Sequence, residues 1–105
     1  MSNNDIRLTQ PTLKVLHMML LNASREGHSG AAIAKATKIG SGTLYPLLDR
    51  LETAGWLTSK WEKIDPHEAG RPRRRFYQLT ALGQRNARAA LADLQIVPGG
   101  LVWTA

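Results

Sequence analysis

Gly40-Ser-Gly-Thr-Leu-Tyr-Pro-Leu-Leu-Asp-Arg-Leu-Glu-Thr-Ala-Gly55 is the stretch from which the rest of the chain is read. Leu44, Leu47, Leu48 and Leu51 stand at i, i+3, i+4 and i+7, one apolar stripe along a helix. Ser41 and Thr43 both suit an N-cap. Gly55 stands where a helix closes on a left-handed residue. Pro46 has no N–H and is tolerated only in a first turn, so the helix is expected to begin no earlier than about Ser41–Thr43. Thr43, Tyr45, Pro46, Asp49 and Arg50 turn away from the stripe, led by the N-terminal end. A recognition helix presents that end to base edges and phosphates.

Upstream, Ser29 caps a short helix of small residues, Gly30-Ala-Ala-Ile-Ala-Lys-Ala36, and Thr37-Lys-Ile-Gly40 makes a tight turn. Two short helices joined by a few residues with Gly have the outline of a helix-turn-helix. Further back, Thr9 and Pro11 open another helix. Its face of Leu13, Leu16 and Leu20 is widened by Val15, Met18, Met19 and Leu21. So broad an apolar surface is buried either in its own core alone or also against a second subunit. Residues 1–8 read as a flexible arm.

Downstream, Trp56-Leu-Thr-Ser-Lys-Trp61 and Phe76-Tyr-Gln-Leu79 read as two short strands. Pro66, Gly70 and Pro72 break the segment between them, which makes a hairpin with a long, flexible tip. Arg71, Arg73, Arg74 and Arg75 crowd its end and repel one another unless anions are near. Side chains alternate along a strand, so Arg73 is expected outward, helped by Arg71 or Arg74, with Arg75 packing over Tyr77. Thr80 caps a last helix running to about Leu94. Gly83, Ala87, Leu91 and Leu94 share its face, which suits close packing across a dimer axis or on its own core. The expected fold is mainly α with a small β-hairpin (α+β), a winged helix-turn-helix over 9–80, with a dimerisation helix and tail at 81–105. The tail from Gln95 either docks on a subunit or is loose.

The chain has 105 residues with 14 Lys and Arg against 8 acids, a net charge of +6. One compact domain is the default at this length. The basic excess favours an anionic partner, most often nucleic acid. There is no cysteine, so disulfides, thiolate metal sites and a cysteine nucleophile are excluded. The polar N-terminus has no signal-peptide core, and no apolar run approaches the roughly 18 residues of a membrane span. A cytoplasmic protein with no membrane partner is the expectation. His17, His28 and His67 stand far apart without metal-ligand spacing, and no Gly-x-Ser-x-Gly or Walker pattern appears, so neither an enzyme nor a bound cofactor or metal is expected.

Ser41-Gly-Thr-Leu-Tyr-Pro-Leu-Leu-Asp-Arg-Leu-Glu52, Gly55-Trp-Leu57, Trp61-Glu62, Gly70-Arg-Pro-Arg73 and Phe76-Tyr-Gln-Leu-Thr80 together resemble the PadR family of bacterial transcriptional regulators. The resemblance spans most of 9–94 and is similar to the compact branch with a single C-terminal helix. It implies a dimeric winged-helix repressor on pseudo-palindromic promoter DNA, in some members released by a small aromatic or drug-like effector. One departure stands out. Family members usually carry Gly-Tyr-Glu at the start of the second helix, where this chain has Gly30-Ala31-Ala32.

Candidate contacts to double-stranded DNA divide by chemistry. Lys35, Lys38, Lys60, Lys63, Arg71, Arg73 and Arg74 suit phosphates. Ser41, Thr43, Tyr45 and Arg50 lie on or beside the recognition helix, where Tyr45 can donate to a phosphate or touch a base edge. Tyr45 packing on Pro46 or the wing, and Arg50 pairing with Glu26 or near Glu52, are the structural alternatives. Candidate homodimer contacts are Leu13, Leu16, Leu20, Ala87, Leu91 and Leu94. Trp103 is the candidate to stack on an effector if the tail folds back. Trp56 is expected partly in the core and Trp61 at the base of the wing. The competing function is a winged-helix interaction module whose basic wing docks an acidic partner.

Overall fold

This computed structural model describes residues 6–92, 94–97 and 100–103, the last two stretches as backbone. In chain order come α1 (Gln10–Leu21), the two-residue strand β1 (His28–Ser29), α2 (Gly30–Thr37) and α3 (Ser41–Thr53). They are followed by β2 (Leu57–Trp61), the single turn α4 (Pro66–Ala69), β3 (Arg75–Leu79) and α5 (Ala81–Leu91). β4 (Leu94–Val97) and β5 (Gly100–Trp103) then pair antiparallel, and β5 runs beside α1.

The leucine stripe is the centre of the core. Leu44, Leu47, Leu48 and Leu51 are all buried, and with Leu16, Ile33, Trp56 and Tyr77 they form one cluster. Each such side chain removed from water contributes roughly 2 kcal/mol. α3 begins at Ser41, but the cap is Gly40, whose carbonyl accepts from the Thr43 and Leu44 N–H groups at 3.0 and 2.9 Å. Neither Ser41 nor Thr43 caps, because both already lie inside the first turn. The start agrees with the expected bound, but Pro46 is the sixth residue of α3, one to three positions deeper than those caps imply; it removes the N–H that would bond the Gly42 carbonyl, on an exposed side of the helix. At the other end Gly55 has φ +84°. The Trp56 N–H reaches back to Leu51 and the Gly55 N–H to Glu52, the paired bonds of a left-handed helix closure.

Ser29 and Thr80 cap as expected, each accepting from a backbone N–H in the first turn of α2 and α5. Thr9 stands at the N-cap of α1, but its hydroxyl pairs with Thr12 instead of a backbone N–H. α2 closes on Lys38, a non-glycine residue with φ 64°.

The sheet has three strands in the order β1-β3-β2, all antiparallel. β1 adds an edge that the sequence did not announce. The wing is β2, β3 and their connection, paired from Leu57↔Leu79 to Trp61↔Arg75. Its tip holds a built turn where a flexible one was expected. Asp65 caps α4 by accepting from the His67 N–H at 2.9 Å, and Gly70 closes it with φ +68°.

α5 ends at Leu91, short of the expected Leu94, which opens β4. Its stripe of small residues faces inward: Gly83, Ala87 and Ala90 are buried. Gly83 abuts the Trp56 carbonyl so closely that a Cβ there would stand 1.9 Å from it. The helix is thus pressed onto the α3–β2 joint and onto α1. This corrects the dimer assignment of three residues. Leu16 and Ala87 are wholly covered within the one chain, and Leu13 is buried against Ala90 and Leu91. None of the three leaves a face for a partner. Leu20 and Leu91 stay partly exposed; the Leu94 and Trp103 side chains lie outside the described residues. Of the expected arm, residues 1–5 lie outside them too, whereas Ile6 packs against the core.

Candidate nucleic-acid interface

α3 brings its outer face to solvent beside the wing. Ser41, Thr43, Tyr45 and Arg50 are all exposed on it. Arg50 makes no ion pair with Glu26 or Glu52; among the described residues the two ion pairs are Arg71–Glu62 and Arg75–Glu52. Tyr45 is 43% exposed. Its ring lies on the first residue of α2: a Cβ at Gly30 would be 2.6 Å from Cε1 and 2.7 Å from the hydroxyl. Packing against α2 sets where the phenol points.

A cleft runs between this helix and the wing. Ser29, Gly30, Ala31 and Tyr45 line one side; Trp61, Arg73, Arg74, Arg75 and Tyr77 line the other. Tyr45 and Arg73 therefore share one surface. Ala31 puts a methyl where the resemblance would put a tyrosine, which leaves the cleft open. Burial raises the Tyr77 hydroxyl above its ordinary pKa, so it stays neutral among these cations.

The four wing arginines divide into distinct roles. Arg71 is not a free cation. Its Nη1 and Nη2 donate to the two oxygens of Glu62 at 2.7 and 2.9 Å. The Arg74 backbone N–H also donates to Glu62, at 3.2 Å. Arg71 bonding, foremost, holds the Glu62 carboxyl down from its ordinary 4.5 to about 2. Arg71 is thereby a brace of the wing, with two of its N–H donors committed to Glu62. Arg73 is exposed and donates its Nε to the Ile64 carbonyl at 2.9 Å, which orients the guanidinium along the wing. The Arg74 side chain is exposed and has no ion-pair partner among the described residues. Arg75 stacks its charge on Trp61. Its guanidinium carbon stands 5.4 Å from the centre of the Trp61 ring, its partner in the strand register.

The remaining sequence candidates are exposed but lie outside the cleft's walls: Lys35 and Lys38 at the end of α2, Lys60 on β2 and Lys63 beyond it. The sequence reading missed Trp61, which is 58% exposed in the cleft and not packed under the wing. It also missed Glu52 and Ser59, which bond Arg75. No group of three His, Cys, Asp or Glu among the described residues could hold a metal, and no helix there is long and apolar enough to cross a membrane.

The family described as "Transcriptional regulator PadR-like family" matches residues 22–89. No curated protein matches the chain. Among solved structures, a PadR family transcriptional regulator from Eggerthella lenta is 31% identical with a TM-score of 0.61, covering 77% of this chain and 68% of that one. A PadR-like transcription factor from Bacteroides fragilis is 28% identical with a TM-score of 0.60, covering 79% and 80%. The fold also matches the S. aureus MepR–DNA complex at 21% identity and a TM-score of 0.63, covering 80% of this chain. The chain spans 62% of the MepR chain, and 56% and 52% of two further neighbours. With the family matched across the helix-turn-helix, the wing and nearly all of α5, the chain belongs to the PadR-like family of transcriptional regulators, which are not enzymes.

Proposed function

We infer that this regulator binds duplex DNA through the outer face of α3 and the wing, as a homodimer acting in the cytoplasm. The observation that carries the reading is the shared cleft: Tyr45 of α3 and Arg73 and Arg74 of the wing line one surface. A net charge of +6 and a DNA complex among proteins of the same fold support it. Arg73 and Arg74 meet phosphates and supply affinity with little sequence choice. The α3 N-terminus has no side-chain cap, so the N–H groups of Ser41 and Gly42, ahead of those bonded to the Gly40 carbonyl, can meet a phosphate oxygen. Thr43, Tyr45 and Arg50 meet base edges or the backbone beside them. On the family resemblance, the regulator is a repressor on a pseudo-palindromic promoter site, and a small aromatic effector releases it.

Selection of bound fragments from random duplexes at fixed salt tests this reading. Enrichment of an inverted repeat with half-sites about 34 Å apart is expected from a two-fold dimer. Failure to enrich any sequence overturns sequence-specific regulation. Binding to an acidic protein that persists in excess DNA would instead favour the interaction module.

A further inference from the structure

Arg75 joins three elements. Its Nε donates to Ser59 Oγ at 2.8 Å and its Nη2 to Glu52 Oε1 at 3.2 Å. The Ser59 hydroxyl donates in turn to the other oxygen of Glu52. The Arg75 guanidinium carbon lies over the Trp61 ring. Glu52 belongs to the last turn of α3, Ser59 and Trp61 to β2, and Arg75 to β3. The closed set therefore bolts both wing strands to the helix, across the Gly55 joint that separates α3 from the wing in the chain.

We propose that Arg75, with Glu52 and Ser59, is a positioning residue for DNA binding: it fixes the wing's tilt against α3. Tyr45 and the Arg73–Arg74 pair then meet one duplex together. The proposal rests on the DNA-binding reading above. Its logic is geometric. A wing free to pivot about Gly55 would still carry its charge but would spread Arg73 and Arg74 over many positions relative to Tyr45. Arg75 itself is matched by a carboxylate and adds little to the charge available for phosphates. The forked guanidinium is needed, because one group must reach Ser59 and Glu52 while staying over the indole.

Glu52→Gln separates this role from simple electrostatics. It removes a negative charge near the proposed interface, so charge alone would tighten DNA binding. The positioning role expects the reverse for the selected site: roughly tenfold weaker binding, the scale of losing one member of a coupled network. Affinity for random-sequence duplex should hold or rise, so the specific-to-random ratio falls. Ser59→Ala changes no charge and should lower the same ratio. Arg75→Lys keeps the charge but not the fork and should not rescue it. Thermal unfolding of each variant confirms that the fold stands; Ser59→Ala carries the test if a charged variant does not fold. Selected-site affinity that is unchanged or tighter in Glu52→Gln, with an unchanged ratio in Ser59→Ala, overturns the proposal. Wild-type protein that binds no duplex at low salt is a different failure: it overturns the DNA-binding reading and takes this proposal with it.

Discussion

Tyr45 rests directly on Gly30, with no room between the phenol ring and the α2 backbone for even a methyl group. Helix α2 therefore aims the single aromatic of α3. The contact is with the far end of a side chain that can swing, so the fold can absorb an added methyl while the phenol cannot keep its place.

Gly30→Ala is accordingly expected to weaken selected-site binding roughly fivefold, about the worth of one hydrogen bond. Its melting temperature should move by less than about 4 °C. Titration of labelled duplex beside a thermal melt checks both. A large melting shift with unchanged affinity would mean that the residue serves packing and not the phenol's aim.

Gly83→Ala should do the opposite. Its Cβ would meet backbone, the Trp56 carbonyl, which cannot step aside. A loss of roughly 3 kcal/mol is expected by urea unfolding, at the upper end for overpacking. Gly42→Ala is the contrast: nothing lies within 4 Å of its added methyl. A helical position without obstruction should gain about 0.5 kcal/mol or stay level.

Replacing Arg73 and Arg74 together by Ala should weaken all DNA sequences alike. The slope of log affinity against log salt should flatten by about 2 per protomer, since each phosphate contact contributes about 0.9. Loss of operator preference alone, at unchanged slope, would contradict their assignment to phosphates. Arg71→Ala should leave the intrinsic slope nearly unchanged and instead expose the wing tip to protease, because Arg71 is committed to Glu62.

Glu62 gives the wing an acid dependence. Its folded pKa, about 2, lies below the ordinary 4.5. A depressed carboxylate contributes stability that is complete above the unfolded value and fades as pH falls toward the folded one. The stability gap between wild type and Glu62→Gln should therefore be widest near neutrality and shrink between about pH 4.5 and 2. Urea unfolding across that range measures it. A gap of constant size would show that the Arg71 pair does not couple to folding.

Much of the architecture was legible in local patterns. The leucine spacing of 44–51, the hydroxyl caps Ser29 and Thr80, and the left-handed Gly55 all follow from rules that act within one turn. β1 was not legible, since two residues carry no periodicity. α4 was hidden because Pro66 and Gly70 read as breakers, though a proline at the first position and a glycine at the end also bound a single turn. Leu16 and Ala87 show a deeper limit. Periodicity tells which face is apolar, not which neighbour covers it, and here the neighbour is the chain itself. The roles of the arginines depended on strand register. Counting back from the hairpin puts Arg75 opposite Trp61, but the bonds from Arg71 to Glu62 form only once the tip has folded.

Lys38 ends α2 in a backbone shape that a glycine would hold more easily, by about 1 kcal/mol. Such a replacement would relax the bend, yet it would strip a cation from the corner that leads into α3. The molecule thus keeps a slightly uncomfortable hinge point where a positive side chain is useful. A stability screen that favoured glycine at this corner would select a sturdier protein and, on the DNA-binding reading, a poorer regulator.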